Sequence, residues 1–220
     1  MKKNGKTRWC CDYRQLNAQT IKDSYPLTNI QGNLEKLSGA KIFSTQDSCG
    51  AYHNVEIEEQ SRDYTTFVSP LGSFRFKKLP FGVSNAPACY SRLVDLVLQK
   101  IPPTFALGYL DDILTYSKGL EEHVEHLDIV VRLHAEVGMK LSLDKCEVCR
   151  EEVVYLGHQV SSKGIQMVPE YIKRIKDWPR PTNVKELRTF LGFTSYYRSF
   201  LPEYSKLTYY MNGLKSVKEI

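Results

Sequence analysis

A pair of adjacent aspartates set between two apolar runs constrains this chain more than any other feature. Phe105 to Leu110 and Ile113 to Tyr116 have the composition of strands, and they meet at Asp111-Asp112. The two carboxylates therefore belong to the tight turn of a hairpin. Neither helix nor sheet periodicity asks for two like charges there, so their repulsion has to be offset. A divalent cation does this directly, since carboxylate oxygens are hard ligands of the kind Mg²⁺ takes together with water and substrate phosphates. Aspartate also favours turns for its own sake, so the pair alone leaves both readings open.

Asp47 adds a third carboxylate. It ends the strand-like run Lys41-Ile42-Phe43-Ser44-Thr45, so an acid from a second strand can approach the hairpin turn. Such a site holds two ions about 3.5 to 4 Å apart and stabilises the attacking and leaving oxygens of an in-line phosphoryl displacement. Nucleotidyl transfer is the chemistry this pattern implies.

The rest of the chain divides by its punctuation. A strand is expected from Arg8 to Tyr13, a helix from Asn29 to Leu37, and strand, turn and strand from Lys41 to Ile57. Ser61 to Lys78 reads as a hairpin around Ser69-Pro70-Leu71-Gly72. Ser84 or Asn85 caps a helix that tolerates Pro87 in its first turn and ends at Pro102-Pro103, with Cys89, Leu93, Leu96 and Val97 on one face. A second helix runs from about Glu121 to Val137, carrying a stripe of Val124, Leu127, Val131 and His134. Val153 to Val160 is a strand interrupted at Gly157-His158, and Lys173 to Pro181 reads as a basic linker. Asn183 and Glu186 then form a capping-box pattern that opens a helix from Val184 to about Phe200. Hairpins mixed with helices, without regular alternation, predict an α+β fold.

With 220 residues, 42% of them hydrophobic, the chain can bury a sizeable core. No window reaches the run of about 18 apolar residues that spans a bilayer, and neither terminus is signal-like. An intracellular protein with no membrane partner is expected, and its six cysteines are expected to be reduced thiols. A net charge of +5 suits a polyanionic partner. Cys146 and Cys149 have metal-ligand spacing but no second pair, so zinc is disfavoured. His123 and His126 read as surface residues, because their spacing and neighbours miss the metalloprotease pattern.

Seven segments, in order, carry a likeness that the residues alone do not supply. They are Asp12-Tyr13-Arg14-Gln15-Leu16-Asn17, Ile21-Lys22-Asp23-Ser24-Tyr25-Pro26, Phe43-Ser44-Thr45-Gln46-Asp47, Leu79-Pro80-Phe81-Gly82-Val83-Ser84-Asn85-Ala86-Pro87, Tyr109-Leu110-Asp111-Asp112, Tyr155-Leu156-Gly157-His158, and Phe190-Leu191-Gly192-Phe193 with Tyr196-Tyr197-Arg198. In these the chain resembles the reverse transcriptases of LTR retroelements, most closely gypsy-type retrotransposons, almost continuously from Lys2 to Leu207.

The resemblance implies a right-hand polymerase with a ferredoxin-like palm on an antiparallel sheet. It places fingers at 1–21 and 55–85, palm at 22–54 and 86–162, thumb at 163–207, and a tail at 208–220. It implies an RNA template, a DNA primer, dNTPs, and two Mg²⁺ ions, with Mn²⁺ as a substitute. Asp47, Asp111 and Asp112 would be the catalytic ligands, joined by the backbone carbonyl of Ser48. Tyr52, five residues after the first aspartate, would exclude a ribose 2′-hydroxyl; packed in a strand, it would be an ordinary core aromatic. Arg8 and one of Lys2 or Lys3 would hold the triphosphate, unless that cluster is simply a solvated terminus. Phe81 and Gly82 would pack on the nucleotide, Leu110 beneath the primer end, and Leu156, Gly157 and His158 would form the primer grip. Arg188 and Arg198 would face the duplex from the thumb helix, where a similar stripe can equally be core.

The chain departs from the family at Gln46, Ser48, Cys49 and Ser24. Met1 falls near the middle of the family's fingers, so a truncated fingers region is expected. The resemblance also implies an intracellular setting, either cytoplasmic in a virus-like particle or nuclear. The leading reading is an active RNA-directed DNA polymerase. The alternatives are a truncated or repurposed fragment that binds nucleic acid without efficient synthesis, and an RNA-copying RNA polymerase, which Tyr52 disfavours.

Overall fold

The computed structural model describes residues 10–26, 29–102 and 104–215. Lys2, Lys3 and Arg8 lie outside them. In chain order the elements are α1 (Arg14–Gln19), α2 (Ile30–Glu35), β1 (Ile42–Asp47), β2 (Phe67–Ser69), β3 (Gly72–Phe74), α3 (Ala86–Leu98), β4 (Ala106–Tyr109), β5 (Asp112–Ser117) and α4 (Leu120–Glu136). There follow β6 (Glu147–Arg150), β7 (Glu152–Tyr155), β8 (His158–Ser161), β9 (Gly164–Met167), α5 (Pro169–Lys176), α6 (Val184–Tyr196) and α7 (Tyr204–Leu214). The expected α+β mixture is present, with all strand pairing antiparallel.

The central sheet has the order β4-β5-β1-β6. Pleating alternates side chains between its faces. Phe43, Thr45 and Asp47 therefore share a face with their register partners Tyr116, Leu114 and Asp112. On that face Phe43, Leu107, Leu114 and Tyr116 pack with Leu34, Leu37, Val153, Tyr155 and Val160. This core joins the central sheet to α2 and to the small sheet β7-β8-β9. On the opposite face Ala106 and Ile113 meet Val130 of α4, and α3 crosses β4 closely. At Gly108 a Cβ would lie 2.6 Å from Leu98 and 2.9 Å from Val94, so only glycine lets the helix approach this near.

Several sequence expectations shift for tertiary reasons. After Asp47 the chain does not return as a strand; Ala51–Asn54 and Glu59–Thr65 are short 3₁₀ helices. The hairpin over Ser61 to Lys78 shrinks accordingly to β2 and β3. The described part of the expected Arg8–Tyr13 strand is irregular and leads into α1. Helix α3 buries Tyr90, Val94 and Val97, while Leu96 faces solvent. Helix α4 buries His123, Val130 and His134, while Val124 and Val131 are exposed. Part of the basic linker coils into α5. Asn183 caps α6 as expected, accepting from Glu186 N–H at 2.9 Å, while the Glu186 carboxylate reaches one residue beyond the cap and accepts from Thr182 N–H at 2.8 Å.

His123, expected on the surface, is fully buried. Its partners explain why. Cys149 N–H donates to Ser44 Oγ at 2.9 Å, and His123 Nε2 hydrogen-bonds with the same oxygen at 2.7 Å. On the other side of the ring, Ser117 Oγ hydrogen-bonds with His123 Nδ1 at 2.9 Å and with His126 Nδ1 at 2.8 Å. The His126 ring stacks on Phe105 at 3.8 Å. A sequence cannot reveal this network, because Ser44 is 79 residues away from His123.

Burial lowers the pKa of His123, with His126 reinforcing the shift and Glu122 opposing it; burial likewise lowers His134 and His158. A depressed folded-state pKa means the unfolded chain takes up these protons first. Stability should be fully present above pH 6.5 and fall as the pH drops through the folded-state values. Each histidine contributes a slope of up to about 1.4 kcal/mol per pH unit in that window. Thermal unfolding at pH 7.5, 6 and 5 checks this; a melting temperature that holds across the series contradicts it.

Candidate active site

Strands β4 and β5 are joined by a two-residue turn, because Tyr109 pairs with Asp112 and leaves only Leu110 and Asp111 between them. Leu110 takes a positive φ of 53°, unusual for a residue with a branched side chain. The tight turn presents Asp111 at the tip and Asp112 at the first strand position. In β1, Asp47 is the direct cross-strand partner of Asp112. The structure thus brings together acids 65 residues apart in sequence, as their pattern predicted.

The electrostatics record this crowding. Partial burial raises the Asp112 pKa, the Asp111 and Asp47 carboxylates raise it further, and Lys145 opposes them. Tyr90 lies in the core beside the site; burial pushes its hydroxyl up to about 12, and Asp111 and Asp47 add to the effect. Lys145, at the end of a 3₁₀ turn (Leu143–Lys145), contacts both Asp47 oxygens at 2.7 and 2.9 Å. Its ammonium supplies the counter-charge, and the pairing raises its own pKa. Among the described residues no three acidic, histidine or cysteine side chains are drawn into a ready-made metal cage. Asp47 is turned to Lys145. The donor set nonetheless fits a hard divalent ion: an excess of carboxylate oxygen around an open cleft. That cleft, of about 260 Å³, is lined by Asp47, Asp112, Lys145, Tyr155 and Leu156 among others.

Ser48 is buried and bridges antiparallel to Leu141. Tyr52 lies in the 3₁₀ turn that follows Gly50 rather than in a strand. Its ring packs 5.1 Å from Phe81 and 6.0 Å from Tyr90, so two residues expected at the nucleotide, Tyr52 and Phe81, do meet. Gly82 has φ +100°, and its carbonyl accepts from Asn17 Nδ2 at 2.7 Å; Asn17 Oδ1 also accepts from Ser84 N–H at 2.8 Å. Asn85 donates to the Ile21 carbonyl and accepts from Asp23 N–H. The loop from Phe81 to Asn85 is therefore pinned by the segment 17–23.

Leu156 and Gly157 form the β7-β8 turn, and His158, 4% exposed, opens β8. Arg188 donates to the Lys215 carbonyl at 3.3 Å and so lies against the end of α7. Arg198 sits in the short turn after α6. Lys145, Tyr90 and Asn17 had no assigned role in the sequence reading. Lys145 was hidden because it is 98 residues from Asp47. Asn17 was visible only as part of the Asp12–Asn17 segment.

An antiparallel sheet that carries acids at a two-residue turn, with two helices on one face, is the layout of a polymerase palm. Comparison with known proteins makes this specific. A family model described as reverse transcriptase (RNA-dependent DNA polymerase) matches residues 1–160. The Pol polyprotein of transposon 297 from Drosophila melanogaster is 40% identical over 202 residues, 92% of this chain and 19% of that protein. That of transposon gypsy, from the same organism, is 36% identical over 204 residues, 93% of this chain and 20% of that protein. The Tf2-3 polyprotein of Schizosaccharomyces pombe is 34% identical over 213 residues, covering 97% and 16%. Among solved structures, a foamy viral protease-reverse transcriptase in complex with double-stranded DNA matches with a TM-score of 0.91 and 29% identity, over all of this chain and 38% of that one. The same viral enzyme in complex with an RNA/DNA hybrid matches with a TM-score of 0.83 and 28% identity, over 95% and 28%. This chain belongs to the reverse transcriptase family, and its relatives are retrotransposon Pol polyproteins. It spans about a fifth or less of those relatives. Among the described residues no helix is long and apolar enough to cross a membrane.

Proposed function

We propose that this chain is the polymerase core of an RNA-directed DNA polymerase, adding dNTPs to a primer 3′ end against an RNA template. The observation that carries the reading is the register of β1 and β5, which sets Asp47 opposite Asp112 beside the Asp111 turn. The nucleic acids held by the matched viral enzyme, double-stranded DNA and an RNA/DNA hybrid, support it. On this reading the subdomains would be fingers at 1–21 and 55–85, palm at 22–54 and 86–162, thumb at 163–207 and a tail at 208–220. Helix α7 runs through the boundary at 207 and joins the thumb to the segment expected as a tail.

Asp47, Asp111 and Asp112 would hold two Mg²⁺ ions. These ions, when bound, supply charge stabilisation for the attacking and leaving oxygens. The protein's own part is positioning and exclusion. Lys145 holds both Asp47 oxygens and so orients that carboxylate. Gly82, with no side chain and its carbonyl held by Asn17, lets the backbone come close to a base or sugar. Tyr52, braced by Phe81 and Tyr90, fills the space a ribose 2′-hydroxyl would need.

Primer extension on an RNA template with Mg²⁺ tests the reading, with dNTPs and NTPs supplied separately. Incorporation of dNTPs supports it, and duplex binding without extension supports a nucleic-acid-binding fragment instead. In the Tyr52→Val variant the preference for dNTPs over NTPs should fall about a hundredfold, since a steric exclusion is removed while the bracing rings stay. Unchanged discrimination would remove Tyr52 from this role.

A further inference from the structure

The β7-β8 turn is held in an unusual way. Tyr155 pairs with His158, so Leu156 and Gly157 alone make the connection, with φ of +47° and +73°. Two-residue hairpin turns with both central residues at positive φ favour Asn-Gly, and a leucine in the first position is strained. Something outside the hairpin has to stabilise it. Two adjacent side chains at the end of α6 do so. Tyr196 Oη donates to the Leu156 carbonyl at 2.6 Å, and Tyr197 Oη donates to the Gly157 carbonyl at 3.1 Å.

The two rings stand edge to face, 88° apart with centroids at 4.9 Å, so each hydroxyl reaches a different carbonyl. His158 Nδ1 adds a third bond, to the Leu156 carbonyl at 2.9 Å, and its ring packs on both tyrosines. The fit is close: a Cβ on Gly157 would lie 3.0 Å from Tyr197 Oη. Leu156 also lines the cleft that holds Asp47 and Asp112. A turn whose backbone is fixed from two sides therefore forms one wall of the catalytic cleft.

We propose that Tyr196 and Tyr197 are positioning residues that hold the Leu156-Gly157 turn, and with it the primer end, at a set distance from the aspartates. This rests on the polymerase reading above. The hydroxyls touch no reacting atom; they act through the two carbonyls. Near-attack geometry is sensitive to displacements of the order of an ångström, so loosening the turn should slow addition more than it weakens nucleotide binding.

The test uses Tyr196→Phe, Tyr197→Phe and the double variant, which keep the rings and delete the hydroxyls. Primer–template carries 2-aminopurine at the primer 3′ end. In the double variant kcat should fall about tenfold with the KM for dNTP within twofold of the parent, and terminal fluorescence should rise as the end loosens. Should the double variant fail to fold, Tyr196→Phe alone carries the test, since that ring is 43% exposed. Parent-like kcat and fluorescence overturn the proposal, as does a lower melting temperature with both readouts unchanged. A parent chain that binds primer–template without extending it sinks the polymerase reading alone, and the fluorescence still decides the positioning role.

Discussion

Replacing Asp111 with asparagine is expected to lower dNTP incorporation about a thousandfold, a loss of roughly 4 kcal/mol of transition-state stabilisation. The substitution is nearly isosteric and asparagine tolerates turns, so the Leu110-Asp111 connection should survive. What changes is charge. Asp111 is one of the carboxylates that raise the Asp112 pKa, so its neutralisation relieves repulsion at the β4-β5 turn. The melting temperature should therefore hold or rise while activity disappears. This opposition between stability and activity distinguishes a functional acid from a structural one. Primer extension paired with a thermal melt checks it. A variant that keeps extending the primer removes Asp111 from the catalytic set.

The largest expected effect on stability is at Phe43. This side chain is fully buried in the core shared by the central sheet, α2 and β7-β8-β9. Phe43→Ala removes that apolar volume and leaves a cavity which the surrounding strands can only partly close. A loss of about 3 to 5 kcal/mol is expected. For a chain of this size that corresponds to a fall in melting temperature of roughly 10 °C. Phe43 also shares a strand and a face with Asp47, so loosening it should reduce activity even in the fraction that stays folded. Urea or thermal unfolding measures the first effect, and extension rate per folded molecule the second. A destabilisation under about 1 kcal/mol would mean the three layers do not share one core.

The hairpin carrying Asp111 and Asp112, the capped start of α6 and the helix after Asn29 were legible because each is written in consecutive residues. A turn, a cap or an apolar run depends on neighbours within a few positions. The stripes proposed for α3 and α4 were less legible. Periodicity identifies a helix, but which side faces inward depends on what packs against it. Thus Tyr90 and His123 are buried while Leu96 and Val124 are exposed. Near Tyr52 the expected return strand is reduced to a short antiparallel pairing of Val55–Ile57 with Lys77–Leu79, since Ala51–Asn54 coil into a 3₁₀ turn after Gly50.

By itself the sequence determined the α+β class, the acidic turn, the second strand that ends in an acid, and membership of a polymerase family through segments kept in order. Only the tertiary structure decided that Asp47 stands opposite Asp112, that Lys145 supplies their counter-charge, and that His123 is buried in a chain of serines. It also decided that Tyr196 and Tyr197, at the end of α6, hold a turn 40 residues earlier. The physical reason is the same in each case. These are pairings between groups far apart in the chain, and no local propensity encodes which distant hydroxyl, ammonium or carboxylate will arrive when the sheet closes.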